Sequence, residues 1–230
     1  MAAIVPEPFL ASKLKVERAR QHIGELDELL RNHYATHPPV STFIEAKDGK
    51  DAQIHVRGSA PPPVVGAIVG DAVHNLRAAL DLMAVSLVEL RGQNSKSVYF
   101  PFCEQEVDLD LMIKKRNFHR AGPESVALLE SLKPFKGGNI ALRAIHDLDI
   151  QDKHHRLIPS TNMMTTPEVY ADTSTWPPVI RMVEGSVPEI AVSFPTDSVF
   201  AGREIVPTLH ELVELVEGTL EAFAALSANP

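Results

Sequence analysis

One cysteine in 230 residues, Cys103, excludes a disulfide within the chain and any zinc site built from several thiolates. It follows Phe100-Pro101-Phe102, and in that setting it reads as a small buried hydrophobe rather than a nucleophile. A chain with one thiol also suits a reducing compartment. Glycine-rich phosphate loops of the GxGxxG or P-loop kind are absent, which argues against a Rossmann enzyme or a nucleotide-driven motor. Gly-x-Ser-x-Gly is missing too, so a nucleophile elbow is not on offer. The first ten residues, MAAIVPEPFL, lack a basic region and a long apolar stretch, and read as no secretory signal. The longest apolar segment, Val64–Leu90, carries four charges and cannot be an ordinary membrane span. Together these absences point to the cytoplasm, with no membrane partner. Internal repeats are absent, and low complexity is confined to Ser227–Pro230. No feature of the sequence specifies an oligomeric state.

What is present is an ordinary globular composition, 44% hydrophobic and 23% charged, with a net charge of −8. That balance argues against a dedicated DNA-coating protein. The charge is uneven, however. Between Lys114 and Arg156 nine Lys/Arg face five acids, and His119, His146, His154 and His155 fall in the same stretch. This +4 segment is a candidate site for a phosphate-bearing ligand or RNA, although a solvated basic face is the simpler reading.

Val64–Leu90 organises the rest. Val65, Val69, Ala72, Leu76, Leu80, Met83, Leu87 and Leu90 recur at steps of three or four, which lays an apolar stripe along a helix. Asp71, His74, Ala78 and Asp81 form a second line nearly opposite, continued by Leu82 and Val85. A helix apolar on most sides is central, so Asp71, His74, Asn75, Arg77 and Asp81 are expected to be partly buried and to need partners.

Around it the sequence predicts an α+β domain spanning 1–230. Pro8–Tyr34 reads as an amphipathic helix with His22 and His33 exposed, and it ends before His37-Pro38-Pro39. Thr42–Ala46 and Ala52–Arg57 flank an Asp-Gly turn and read as a hairpin. Short helices are expected over Leu109–Lys115 and Pro123–Leu132, and another over Ile140–Ile150 with Asn139 as its cap. Thr161–Thr175 reads as a loop. Val179–Glu184, Glu189–Phe194 and Val199–Val206 read as strands, the first two joined across Gly185, and Pro207–Leu226 as a closing helix. The hairpin at 42–57 and the strands within 179–206 are expected to share a small antiparallel or mixed sheet beside a helical bundle.

Candidate chemistry lies in two segments. The central helix offers Asp71-x-x-His74 with Arg77 and Asp81. The later segment offers Arg143, His146, Asp147 and Asp149, then Asp152-x-x-His155 with Lys153, His154 and Arg156. Asp-x-x-His sets a carboxylate and an imidazole on one helix face, within reach of one ion. Asp71, His74, Asp81, Asp152 and His155 could therefore hold a divalent transition metal, in the manner of the Glu-x-x-His pairs of di-iron bundles. His146-Asp147 is similar to the doublet of metal phosphohydrolases, but their ordered set of further His and Asp residues is not found. Without a metal, His74 or His155 could act as general acid or base, since imidazole titrates near neutrality. Arg77 and Arg156 would then hold phosphate, and Asp81 and Asp152 would orient the imidazoles. The third reading is a structural network, in which Arg77 clamps Asp147 or Asp152, Asp81 accepts from His155 or Arg156, and a carbonyl or carboxylate holds His74. The partner surface would in that case lie elsewhere, on the acidic first or last helix.

Gly70-Asp71-Ala72-Val73-His74-Asn75-Leu76-Arg77-Ala78-Ala79-Leu80-Asp81, followed by Asp152-Lys153-His154-His155-Arg156-Leu157, resembles a family of uncharacterised bacterial proteins. Its members pair a GDxxHNLRxALD helix with a later DKHR segment. The resemblance covers mainly residues 64–157 and implies a grouping, not an activity. The helical part is distantly similar to HEPN ribonuclease bundles, which set Arg and His of a helix against RNA. Those carry Arg-x4–6-His, whereas Arg116-Asn117-Phe118-His119 has only two intervening residues. Two classes follow: a phosphoester or phosphodiester hydrolase, or a non-enzymatic interaction protein with the same residues as scaffold. Exposure separates them, because catalysis requires His74 and the Asp152–Arg156 cluster to line an open cleft.

Overall fold

Leu10–Thr36 (α1) and Val64–Leu90 (α2) are helices of 27 residues each, and both form where the apolar spacing demands them. The structure, a computed structural model, describes residues 9–45, 52–154, 159–163, 169–172, 174, 179–183 and 190–228. Further helices span Leu109–Lys115 (α3), Pro123–Leu132 (α4), Ile140–His154 (α5) and Ile205–Ala228 (α6). Single turns of 3-10 helix at Glu106–Asp108 and Phe118–Ala121 bracket α3.

The core is made by α1, α2, α5 and α6. α2 lies against all three others and also against the Phe118–Ala121 turn. Its buried residues run from Val65 to Val88 and occupy several faces, as expected of a central helix. Val16, Ala19, Ile23 and Leu26 come from α1, Leu142, Ile145 and Leu148 from α5, and Leu209, Leu212, Val216 and Phe223 from α6. Phe118 is fully buried and meets Phe100 and Phe223 edge-on, which ties the α3–α4 end to α6. Cys103 is buried as read. Burial first, then the Asp108 charge, pushes its thiol pKa up, and Sγ–H donates to the Gln105 carbonyl at 3.2 Å.

The α+β expectation is overturned: this is a helical protein without the anticipated sheet. Among the described residues the ladders are two-stranded, and beyond them an isolated antiparallel bridge joins Ser193 to Glu204. Val40–Glu45 pairs with Ala52–Arg57, Ser160–Met163 with Ile190–Ser193, and Val169–Asp172 with Val179–Met182, all antiparallel. The 42–57 hairpin therefore stands apart from the strands within 179–206. The two later pieces do not pair with each other across Gly185 but reach back into 160–172, which the sequence marks as loop. The expected strand at 199–206 is reduced to turns and a single bridge at Glu204 before α6 starts at Ile205. The physical reason is competition: four long helices already cover one another's apolar faces, and extended pieces of four to six residues have only local partners left. His22 is a smaller correction. It is buried, with Glu25 Oε2 3.3 Å from its Nδ1.

Candidate functional site

Two helices bring the candidate residues together. α5 begins where Asn139 Oδ1 accepts the Leu142 N–H at 3.0 Å, an N-cap of the expected kind. Its last turns carry Asp149, Asp152 and Lys153 at steps of three and four, facing the first half of α2. The approach is close because Gly70 has no side chain. A Cβ there would lie 2.2 Å from Asp152 Oδ1.

Across this contact, His74 Nδ1 is 2.9 Å from Asp149 Oδ1, and Lys153 Nζ donates to Asp149 Oδ2 at 2.6 Å. The Asp149 side chain is 7% exposed and the His74 side chain 54%. Burial alone would raise the Asp149 pKa, but hydrogen bonds from Lys153 and His74 outweigh it and hold the carboxyl below its ordinary value. An ionised carboxylate only accepts, so His74 carries its proton on Nδ1 and Nε2 remains the free nitrogen. Asp152 is pushed the other way. Burial, then the charges of Asp71 and Asp149, raise its pKa against the opposing pull of His74 and Lys153. Asn75 completes the surroundings: its Nδ2 donates to the Asp71 carbonyl at 2.8 Å, and its Oδ1 accepts from Lys15 of α1 at 3.2 Å.

Arg77 and Asp81 belong to a second cluster, deeper in the fold. Arg77 Nη1 lies 2.6 Å from Asp81 Oδ1, with the arginine side chain 11% exposed. Asp81 Oδ1 also accepts the Phe100 N–H at 2.8 Å. The Arg77 guanidinium sits 4.6 Å from the centre of the Phe102 ring, on which His146 stacks at 5.0 Å and 7°. Arg143 is buried beside them. It donates to the Cys103 carbonyl, to Glu104 Oε1 at 2.6 Å, and to Asp147 Oδ1 at 2.8 and 3.0 Å. The structural network anticipated for Arg77 thus exists with other partners: Asp81 for Arg77, Arg143 for Asp147.

The sequence-derived set therefore divides. Asp71, His74 and Asp152 share a neighbourhood. Asp81 lies ten residues beyond Asp71, about 15 Å along the helix axis, and is occupied by Arg77 and Phe100. His155 and Arg156 lie outside the described residues, and among those described no three His, Cys, Asp or Glu side chains converge as metal ligands. The basic 114–156 stretch divides too. Lys136 pairs with Glu104 at 2.6 Å, Arg143 is buried and Lys153 is bound to Asp149, so among the described residues the basic groups of the stretch without a carboxylate partner are Lys133 and those of 114–120. Asp149, the residue that holds His74, was only one of several acids in the segment. Its signal was the i, i+4 pair with Lys153, which marks a helix face without saying what that face meets.

No family model, curated protein or solved structure matches the chain. The resemblance to the uncharacterised bacterial family rests on the two quoted motifs alone.

Proposed function

We propose that the protein is a phosphoester or phosphodiester hydrolase in which His74 transfers the proton and Asp149 holds its ring. The observation that supports this reading is the pairing of an exposed imidazole with a buried carboxylate. Asp149 sets the tautomer and orientation and stabilises the imidazolium once Nε2 has taken a proton. Nε2 would abstract that proton from the attacking water or hydroxyl and return one to the leaving oxygen. Asp152, on the same face and with its pKa raised by burial and by Asp71 and Asp149, would serve as a second proton-transfer group. Arg156, outside the described residues, keeps the phosphate-holding role. Arg77 gives it up, because its guanidinium is buried on Asp81 and Phe102.

The test is turnover of bis-p-nitrophenyl phosphate, p-nitrophenyl phosphate and a short oligoribonucleotide by the native protein, His74→Ala and Asp149→Asn. His74→Ala is expected to lower kcat by about 10²- to 10⁴-fold, the usual worth of a positioned acid–base group. Native protein that turns over none of the three, or turnover that survives His74→Ala, sinks the reading. The second reading, a non-enzymatic scaffold, is favoured by one specific feature: Asp149 is buried and held both by Lys153 of its own helix and by His74 of α2, so it clamps α2 to α5. Absence of turnover together with a lowered melting temperature for Asp149→Asn would select it.

A further inference from the structure

Two loops distant in sequence are laced together at the far end of α2. The Tyr99 N–H donates to the Arg116 carbonyl at 3.2 Å, and Asn117 Nδ2 to the Ser97 carbonyl at 3.2 Å. Arg120 Nη1 donates to the Asn94 carbonyl at 2.9 Å. Ser97 and Asn117 each take a left-handed backbone, with φ of 60° and 57°, which turns the two loops toward each other. The lacing sets the segment of Lys96 and Tyr99 against that of Arg116 and Arg120, with the exposed Lys114, Lys115 and His119 in the same run and no acid in 91–100 or 114–120. Carboxylates in the adjoining segments are engaged or lie one turn away. Glu124 is bound to Arg91, Glu89 accepts from Ser95, and Asp110 lies one turn before Lys114 on α3. Among the described residues no carboxylate pairs with Lys96, Lys114, Lys115, Arg116 or Arg120. In a protein of net charge −8 this is a concentrated positive face. Within it stands Tyr99, 44% exposed, with the Arg116 guanidinium 5.5 Å from its ring centre.

We propose that this face binds single-stranded nucleic acid, with a base stacking at Tyr99 and Arg116 and the flanking phosphates on Lys96, Lys114 and Lys115. The aromatic ring distinguishes this partner from an acidic peptide or an anionic membrane. Positive charge alone serves any polyanion, whereas an exposed ring beside a guanidinium offers a flat surface that a base can cover. Backbone hydrogen bonds hold the ring's chain segment in place, so little ordering remains to be done on binding. The face is separate from His74. Asp81, which holds Phe100, is already seven residues and about 10 Å along α2 from it, so the binding does not rest on the hydrolase reading.

Fluorescence anisotropy of the full chain with a labelled 15-mer of oligo(U) or oligo(dT) tests the proposal. A duplex, a poly-glutamate peptide and phosphatidylserine vesicles serve as competitors. Tyr99→Ala is expected to weaken binding at least fivefold and Tyr99→Phe to restore it, because the ring and not the hydroxyl stacks. Lys114→Ala/Lys115→Ala should reduce the slope of log K against log salt by about 1.4, two phosphate contacts' worth on a single strand. His74→Ala should bind like the native protein. Loss of binding in His74→Ala, absence of binding at low salt, equal competition by duplex or poly-glutamate, preferential capture by vesicles, or indifference to Tyr99→Ala would each overturn it.

Discussion

His146 shows how a residue that looks chemical becomes structural. It lies flat on Phe102, and its Nδ1 is buried without a hydrogen-bond partner among the described residues. Burial first, then the charges of Arg77 and Arg143, push its pKa from 6.5 down to about 4. An unfolded chain takes up the proton near pH 6.5 and the folded one only near 4. Between those values the unfolded state binds more protons, so stability falls as the pH falls through this window. It is unaffected by His146 above it, and the penalty is constant below it. The gap corresponds to about 3 kcal/mol. His146→Phe keeps a ring on Phe102 and removes the titration. Urea unfolding between pH 7.5 and 4 should therefore show a smaller acid loss than the native protein, by up to about 3 kcal/mol. Equal losses would contradict the assignment. His146-Asp147, adjacent in sequence, turn to different partners, Phe102 and Arg143.

At the scale of elements the decisive contact is α2 on α5. Gly70 is there for space. In a helix interior Ala ordinarily stabilises relative to Gly by about 1 kcal/mol, and overpacking costs about 1–3 kcal/mol. The group 2.2 Å from the missing Cβ is the far end of the exposed Asp152 side chain, which can swing aside, so the cost is no larger than the gain. Gly70→Ala should thus be close to neutral alone, within about 1 kcal/mol, and stabilising by up to about 1 kcal/mol in an Asp152→Ala background. Denaturation of the four proteins of this double-mutant cycle measures the coupling, and strictly additive effects would show that the helices do not meet as described. The helix ends of α3 and α4 coincide with the sequence reading, and α2 does so at both ends. Those segments have clear apolar spacing or a proline at the start. The strand partners were not legible, since pairing 160–163 with 190–193 is decided far along the chain.

For the molecule as a whole, stability resides where α2 meets its neighbours. Leu76 is fully buried at that centre, whereas Leu111 of α3 is 65% exposed. Leu76→Ala should cost about 2–5 kcal/mol and Leu111→Ala no more than about 0.5 kcal/mol, read from chemical denaturation. A small effect at Leu76 would mean that α2 is not the centre of the core. No helix among the described residues is long and apolar enough to cross a membrane, which agrees with the charges read along Val64–Leu90. The unequal division of basic residues also belongs to this scale. One linear stretch with excess positive charge becomes a buried arginine, a lysine bound at the helix contact and an outward face.

The sequence by itself determined the long helices, the central place of Val64–Leu90 and the burial or half-burial of Asn75, Arg77 and Asp81 on it. Asp71 and His74, expected to be partly buried as well, are exposed, because the helices that meet that end of α2 leave their side uncovered. Periodicity, caps and prolines act over a few residues, and that range sufficed. Tertiary structure alone decided that the short extended pieces pair in twos and form no common sheet. It also decided that Asp81 faces Arg77 and Phe100 while His74 faces Asp149. Spacing tells which side chains share a helix face; what meets that face depends on how whole helices cover one another's apolar surface, which no local pattern records.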